Sequence, residues 1–129
     1  MNGARSGPAT ILLVEDEPLV RMLGTDVLED AGFRVIEAAE SQEAFSVLEA
    51  DAHVDVLFTD VDLGPGKPDG FELARRVHAR WPEIQLVITS GHVRPRFEDI
   101  PDDGCFVSKP YQPKKLVEAI RAVVRRTEL

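Results

Sequence analysis

The chain has 129 residues, enough for one domain with a real core. Apolar residues make up 43% of it, which excludes a disordered chain, and no apolar run approaches the length that spans a bilayer. The formal net charge of −8 argues against a nucleic-acid surface, because an acidic face repels phosphate backbones. Met1 to Pro8 reads as a loose tail and shows no signal-peptide pattern. The only cysteine, Cys105, lies between Gly104 and Phe106 and reads as a buried, inert thiol suited to a reducing cytosol.

In chain order, "TILLV" (Thr10–Val14) is a short apolar, β-branched run and reads as a buried strand. Pro18 opens a helix at its first position, behind acidic Asp16 and Glu17. Val20, Leu23, Val27, Leu28 and Ala31 follow helical spacing, and Gly32 ends the helix. Phe33 to Ala38 is the second strand. Ser41 is the expected cap of a helix carrying Ala44, Val47 and Leu48 on one side. Val54 to Thr59 is the third strand, ending at Asp60 and Asp62. Asp69 and Glu72 form a capping-box pair before "FELARRVHARW", which Pro82 stops. Trp81 and His78 read as packing residues near the apolar face of that helix, and His53 as a surface residue. Ile84 to Ser90 is the fourth strand and Cys105 to Ser108 the fifth. Between them, "GHVRPRFEDIPDDG" (Gly91–Gly104) carries Pro95 and Pro101 and no apolar periodicity, so a short or irregular fourth helix is expected there. Pro113 begins a last helix with Leu116, Ile120, Val123 and Val124 on one face. Lys114, Lys115, Arg121, Arg125 and Arg126 read as its solvated stripe.

Alternating strands and helices, with strands apolar on both faces, predict an α/β domain: a doubly wound five-stranded parallel sheet covered on both sides. Such sheets bind ligands outside the C-terminal ends of their strands. Those ends carry Glu15 and Asp16, then Asp60 with Asp62 beyond it, then Thr89 and Ser90, then Lys109 before Pro110. Clustered carboxylates repel one another unless a cation compensates, and an all-oxygen set suits a hard cation such as Mg²⁺. A divalent ion, a hydroxyl and a lysine around a carboxylate suit a phosphoryl group, with Asp60 as the nucleophile that becomes an aspartyl-phosphate.

On "ILLVEDEP", "LFTDVDL", "PDGFELA", "ITSGH" and "VSKPY", in that order, the sequence resembles the receiver domain of bacterial two-component response regulators from about Thr10 to Arg126. The resemblance implies a flavodoxin-like (βα)5 fold with strand order 2-1-3-4-5 over residues 9–127. It implies that Asp60 takes a phosphoryl group from a sensor histidine kinase or a histidine phosphotransfer protein. Glu15, Asp16, Asp60 and the backbone carbonyl of Asp62 would hold Mg²⁺, with Mn²⁺ as a substitute. Lys109 would pair with Asp60 and then with the phosphoryl oxygens, and Ser90 would donate to the phosphoryl group. Phe106 falls at the switch aromatic, and Lys109–Pro110 at a peptide that is cis in the family. Asp62 and His92 fall at positions that modulate the phosphoryl lifetime. The choice between Thr89 and Ser90 as switch hydroxyl stays open, with Ser90 preferred because Gly91 follows it. Such a domain is cytoplasmic, monomeric or weakly dimeric, and not a turnover enzyme. It acts on a downstream protein through phosphorylation-dependent contacts.

Rival readings weigh against this one. "DVDLG" mimics the Asp-x-Asp motif of haloacid-dehalogenase-type phosphatases, with Asp60 and Asp62 in the active roles, but leaves "VEDE" and "SKP" unexplained. A flavodoxin-like cofactor binder would want a glycine-rich loop where acidic "EDEP" stands. A structural pseudo-receiver would not need the acids. After the last helix only "RTEL" remains, so no output domain is expected; a stand-alone regulator and a piece of a hybrid histidine kinase both fit.

Overall fold

The computed structural model describes residues 7–50, 52–63, 69–91, 104–110 and 112–126. Five parallel strands, β1 (Thr10–Val14), β2 (Arg34–Ala38), β3 (Val56–Asp60), β4 (Gln85–Ser90) and β5 (Cys105–Ser108), lie side by side in the order 2-1-3-4-5. Helices α1 (Pro18–Asp30), α2 (Ser41–Glu49), α3 (Gly70–Arg80) and α4 (Pro113–Arg126) supply the crossovers and the cover. Each strand begins or ends within two residues of its expected bound.

The sheet separates two cores. On one face Leu12, Val14, Leu57, Leu86 and Ile88 pack against Ala44 and Leu48 of α2 and Leu73, Ala74 and Val77 of α3. On the other, Ile11, Leu13, Val56, Phe58 and Val87 pack against Leu28 of α1 and Leu116, Ile120, Val123 and Val124 of α4. Strands buried on both faces keep no polar alternation, which is why β1 and β3 read as continuous apolar runs. Each fully buried Leu, Ile or Phe here contributes about 1.5–3 kcal/mol relative to exposure.

Several local expectations are met. Pro18 stands at the start of α1, and Gly32, just past its end, takes φ 97°, the left-handed conformation that glycine adopts without strain. The Asp69 carboxylate accepts from the Glu72 N–H and caps α3. The last helix buries its predicted face, while Lys114, Lys115, Arg121 and Arg125 are exposed. Trp81 is half-buried against the core with the Arg80 guanidinium over its ring, and His53 is largely exposed and paired with buried Asp55.

Others need correction. Ser41 does not cap α2; it is the buried first residue of the helix, Glu40 takes the cap position, and the Glu43 carboxylate reaches back to the Ala39 N–H. Leu23 does not face the core. It is 54% exposed, and the small residues Gly24 and Thr25 turn inward instead, because α1 lies close to the sheet. Cys105 is half-buried, since β5 is an edge strand. The expected fourth helix, and the tail residues 1–6, lie outside the described residues.

Candidate phosphoacceptor site

Apart from Phe106, which lies within β5, every expected site residue among those described sits at or just beyond the C-terminal ends of β1, β3, β4 and β5. A cleft of about 340 Å³ opens there, lined by Asp16, Val20, Asp60, Asp62, Ser90 and Lys109 among others. A larger hollow, about 660 Å³, lies at the other end of the sheet against Thr10, Arg34 and His53. It gathers one acid and two basic groups and no hydroxyl–lysine–carboxylate set, so the chemistry points to the smaller cleft.

The sheet register builds the cleft. β3 pairs with β1 through Thr59 and Val14, so Glu15, one residue past β1, arrives beside Asp60. β4 pairs Thr89 with Asp60, and β5 pairs Ser108 with Ser90, so Lys109 follows one residue later. Lys109 therefore reaches across the sheet. Its Nζ donates to Glu15 Oε1 at 2.6 Å and to Asp60 Oδ2 at 3.1 Å. Glu15 Oε2 also accepts from the Glu17 N–H at 3.2 Å. Glu15, Asp16 and Asp60 each present a carboxylate oxygen within 4.8 Å of the others'. Glu15 and Asp60 are buried and Asp16 is exposed.

The charges do not balance. Burial raises the Glu15 carboxyl above its ordinary value of 4.5, and its bond to Lys109 only partly opposes this. Burial alone would push the Lys109 ammonium down, but its bond to Glu15 and the Asp60 charge outweigh that and raise it above 10.5. One firmly charged ammonium thus faces two buried carboxylates and a third acid at the mouth. A second cation is electrostatically wanted. Three converging hard oxygens, with water free to reach the exposed side, fit Mg²⁺, which keeps several waters in its shell.

Ser90 is buried and lines the cleft, whereas the Thr89 hydroxyl is buried with no hydrogen-bond partner among the described residues. Asp62 is exposed at the rim and is not one of the converging trio. Phe106 is half-buried and packs on the α2–α3 side. The Lys109–Pro110 peptide is cis, as the resemblance implies. His92, and nearly all of Gly91–Gly104, lie outside the described residues.

Two contributors were not singled out from sequence. Gly70 opens α3 directly against the end of β3: its N–H donates to the Val61 carbonyl at 2.8 Å, and a Cβ built on it would stand 2.1 Å from the Asp60 carbonyl oxygen. The neighbour that makes a glycine necessary there shows only in the fold, so the sequence carried no signal for it. Arg21 donates to the Glu15 carbonyl, and nothing in the sequence marks a side chain whose partner is backbone.

The response regulator receiver domain model matches residues 11–121. The chain belongs to the receiver domain family of two-component response regulators. The receiver domain is 34% identical over 127 residues to the sensor kinase CckA of Brucella abortus, covering 95% of this chain and 13% of that one. It is 34% identical over 125 residues to the phosphate regulon transcriptional regulatory protein PhoB of Pseudomonas aeruginosa, covering 92% of this chain and 52% of that one. It thus spans a small part of one relative and about half of the other. A response regulator receiver protein from Sinorhizobium medicae superposes with a TM-score of 0.84 at 28% identity, covering 93% of this chain and 97% of that one. The phosphatase reading is not favoured: the receiver family match takes in β1, β3 and β5, and the trio forms around Glu15 and Asp16 instead of Asp62. Among the described residues no helix is long and apolar enough to cross a membrane.

Proposed function

We propose that Asp60 is the phosphoacceptor of this receiver domain and that Glu15, Asp16 and Asp60 hold Mg²⁺ during the transfer. The observation that carries the reading is the Lys109 ammonium shared between Glu15 and Asp60, with the Asp16 carboxylate converging on the same point. A Asp60 oxygen attacks the phosphorus of a phosphohistidine in line. The P–N bond breaks, its electron pair leaves with the imidazole nitrogen, and the new P–O bond makes an acyl phosphate. Mg²⁺, when bound, neutralises charge on the phosphoryl oxygens. Lys109 trades its 3.1 Å bond to Asp60 for a bond to a phosphoryl oxygen, and Ser90, across the cleft, donates a second. The Asp62 carbonyl supplies a further oxygen at the rim. The reaction ends with the domain modified, so it is a signalling event and not turnover.

The donor is a protein: a sensor histidine kinase or a histidine phosphotransfer protein. Leu19, Met22 and Leu23 form an exposed apolar stripe on α1 with the spacing of one helix face, and Val20 of the same helix lines the cleft. A helical partner seated on that stripe brings its histidine to the mouth. Phe106 and His92 complete the reading as switch aromatic and modulator of the phosphoryl lifetime, signalling onward by protein contact from a cytoplasmic domain.

Incubation with acetyl phosphate and Mg²⁺ tests the assignment. Wild-type chain should take up phosphoryl label and Asp60→Asn should take up none. Undiminished label on Asp60→Asn would place the acceptor elsewhere.

A further inference from the structure

The turn from β1 into α1 sets where the Asp16 carboxylate stands. Asp16 is exposed, and no side-chain partner of its own appears among the described residues. Its carboxylate nevertheless comes within 4.8 Å of those of Glu15 and Asp60. The backbone of the turn sets the point from which that side chain reaches. The peptide that carries Asp16 joins the Glu15 carbonyl to the Asp16 nitrogen, and that carbonyl accepts from Arg21 Nη1 at 2.8 Å. Arg21 is itself held at its other edge, where Nε donates to Glu37 Oε1 on β2 at 3.1 Å. A planar guanidinium bonded along two edges has its direction fixed, which a lysine ammonium cannot match.

We infer that Arg21 is the positioning residue of the metal site: held by Glu37, it fixes the Glu15–Asp16 peptide plane and so aims Asp16 at the ion. The proposal rests on the reading of Glu15, Asp16 and Asp60 as a Mg²⁺ site. It separates cleanly from a simple charge effect, because the two have opposite signs. Arg21 is a cation close to an acidic cluster. Removing its charge alone would tighten binding of a divalent cation. Removing the brace loosens it, since residues that orient a metal ligand are worth about 10- to 100-fold in affinity.

Mg²⁺ titration of the full chain by calorimetry, with the Asp16 amide followed by NMR, is the test. Arg21→Gln should weaken Mg²⁺ binding by about tenfold or more and broaden or shift the Asp16 amide. Arg21→Lys keeps the charge and should weaken binding too. It also keeps the test alive if Arg21→Gln fails to fold, as judged by its urea midpoint. Tighter or unchanged binding in Arg21→Gln, or wild-type affinity in Arg21→Lys, would overturn the brace while leaving the metal site intact. Failure of the wild-type chain to bind Mg²⁺ would overturn the metal site itself, and the role of Arg21 with it.

Discussion

Gly70→Ala should damage phosphorylation more than its size suggests. The added Cβ would stand 2.1 Å from the Asp60 carbonyl oxygen, 2.8 Å from its carbon and 2.9 Å from the Val61 Cα. Contacts under 3.0 Å are not tolerated, so α3 and the end of β3 must part by about 0.9 Å. The opposing atoms are backbone, and no side chain can swing away. The Asp60 carbonyl is also engaged by the Thr59 hydroxyl at 2.9 Å, and the Gly70 N–H is bonded to Val61 at 2.8 Å, so the movement strains both bonds. Overpacking of this kind costs about 1–3 kcal/mol. Alanine's better helix propensity returns at most about 1 kcal/mol, and less at a helix's first position. A net loss of about 1–2 kcal/mol follows, visible as a lower urea midpoint at unchanged slope. The effect on chemistry should be larger. Displacing a reacting group by about 1 Å costs about 100-fold, so the rate of labelling by acetyl phosphate should fall by one to two orders of magnitude. A Gly70→Ala chain with wild-type stability and wild-type labelling would show that α3 does not rest on the Asp60 backbone.

The metal site gives a second expectation: Mg²⁺ should bind in the millimolar range, about 4 kcal/mol, and Asp16→Ala should lose that binding and the labelling together. Equal labelling of wild-type chain in EDTA would refute the metal's part. A third follows from Glu15, whose carboxyl is raised chiefly by burial. Its ionisation costs stability as pH climbs from 4.5 through the raised value, and a bound divalent cation offsets that cost. Thermal stabilisation by Mg²⁺ should therefore grow as pH climbs above 4.5 through the raised value, and a stabilisation that shrinks over that climb would contradict it. A fourth concerns the Thr89 hydroxyl, buried with no partner among the described residues: Thr89→Val removes it and should stabilise the domain by about 1 kcal/mol in urea unfolding. Destabilisation would mean that the hydroxyl has a partner.

The sequence made the sheet legible because parallel strands are buried on both sides and leave unbroken apolar runs such as Ile11–Val14. The last helix was equally plain, since Leu116, Ile120, Val123 and Val124 repeat at helical spacing and are all buried. The acids and the lysine were readable for a related reason: charge at the end of an apolar strand has no packing explanation, and strand ends of such a sheet share one rim. Spacing could not show that Leu23 turns outward, because Gly24 and Thr25 let α1 approach the sheet on a different face. Nor could it reveal contacts made by backbone. The Gly70–Asp60 approach and the Arg21–Glu15 bond depend on how elements dock, and neither leaves a pattern of residue types. The short or irregular helix expected within Gly91–Gly104 falls on a segment that lies almost wholly outside the described residues.

The most direct test of the account is to find where the phosphoryl group lands. The chain is labelled with acetyl phosphate and Mg²⁺, digested quickly, and mapped by mass spectrometry. The account predicts a single modified peptide, the one containing Asp60, and no modification when Mg²⁺ is chelated. A phosphoryl group on Asp62, Asp16 or any other residue, or modification of Asp60 that proceeds equally without the metal, would contradict it.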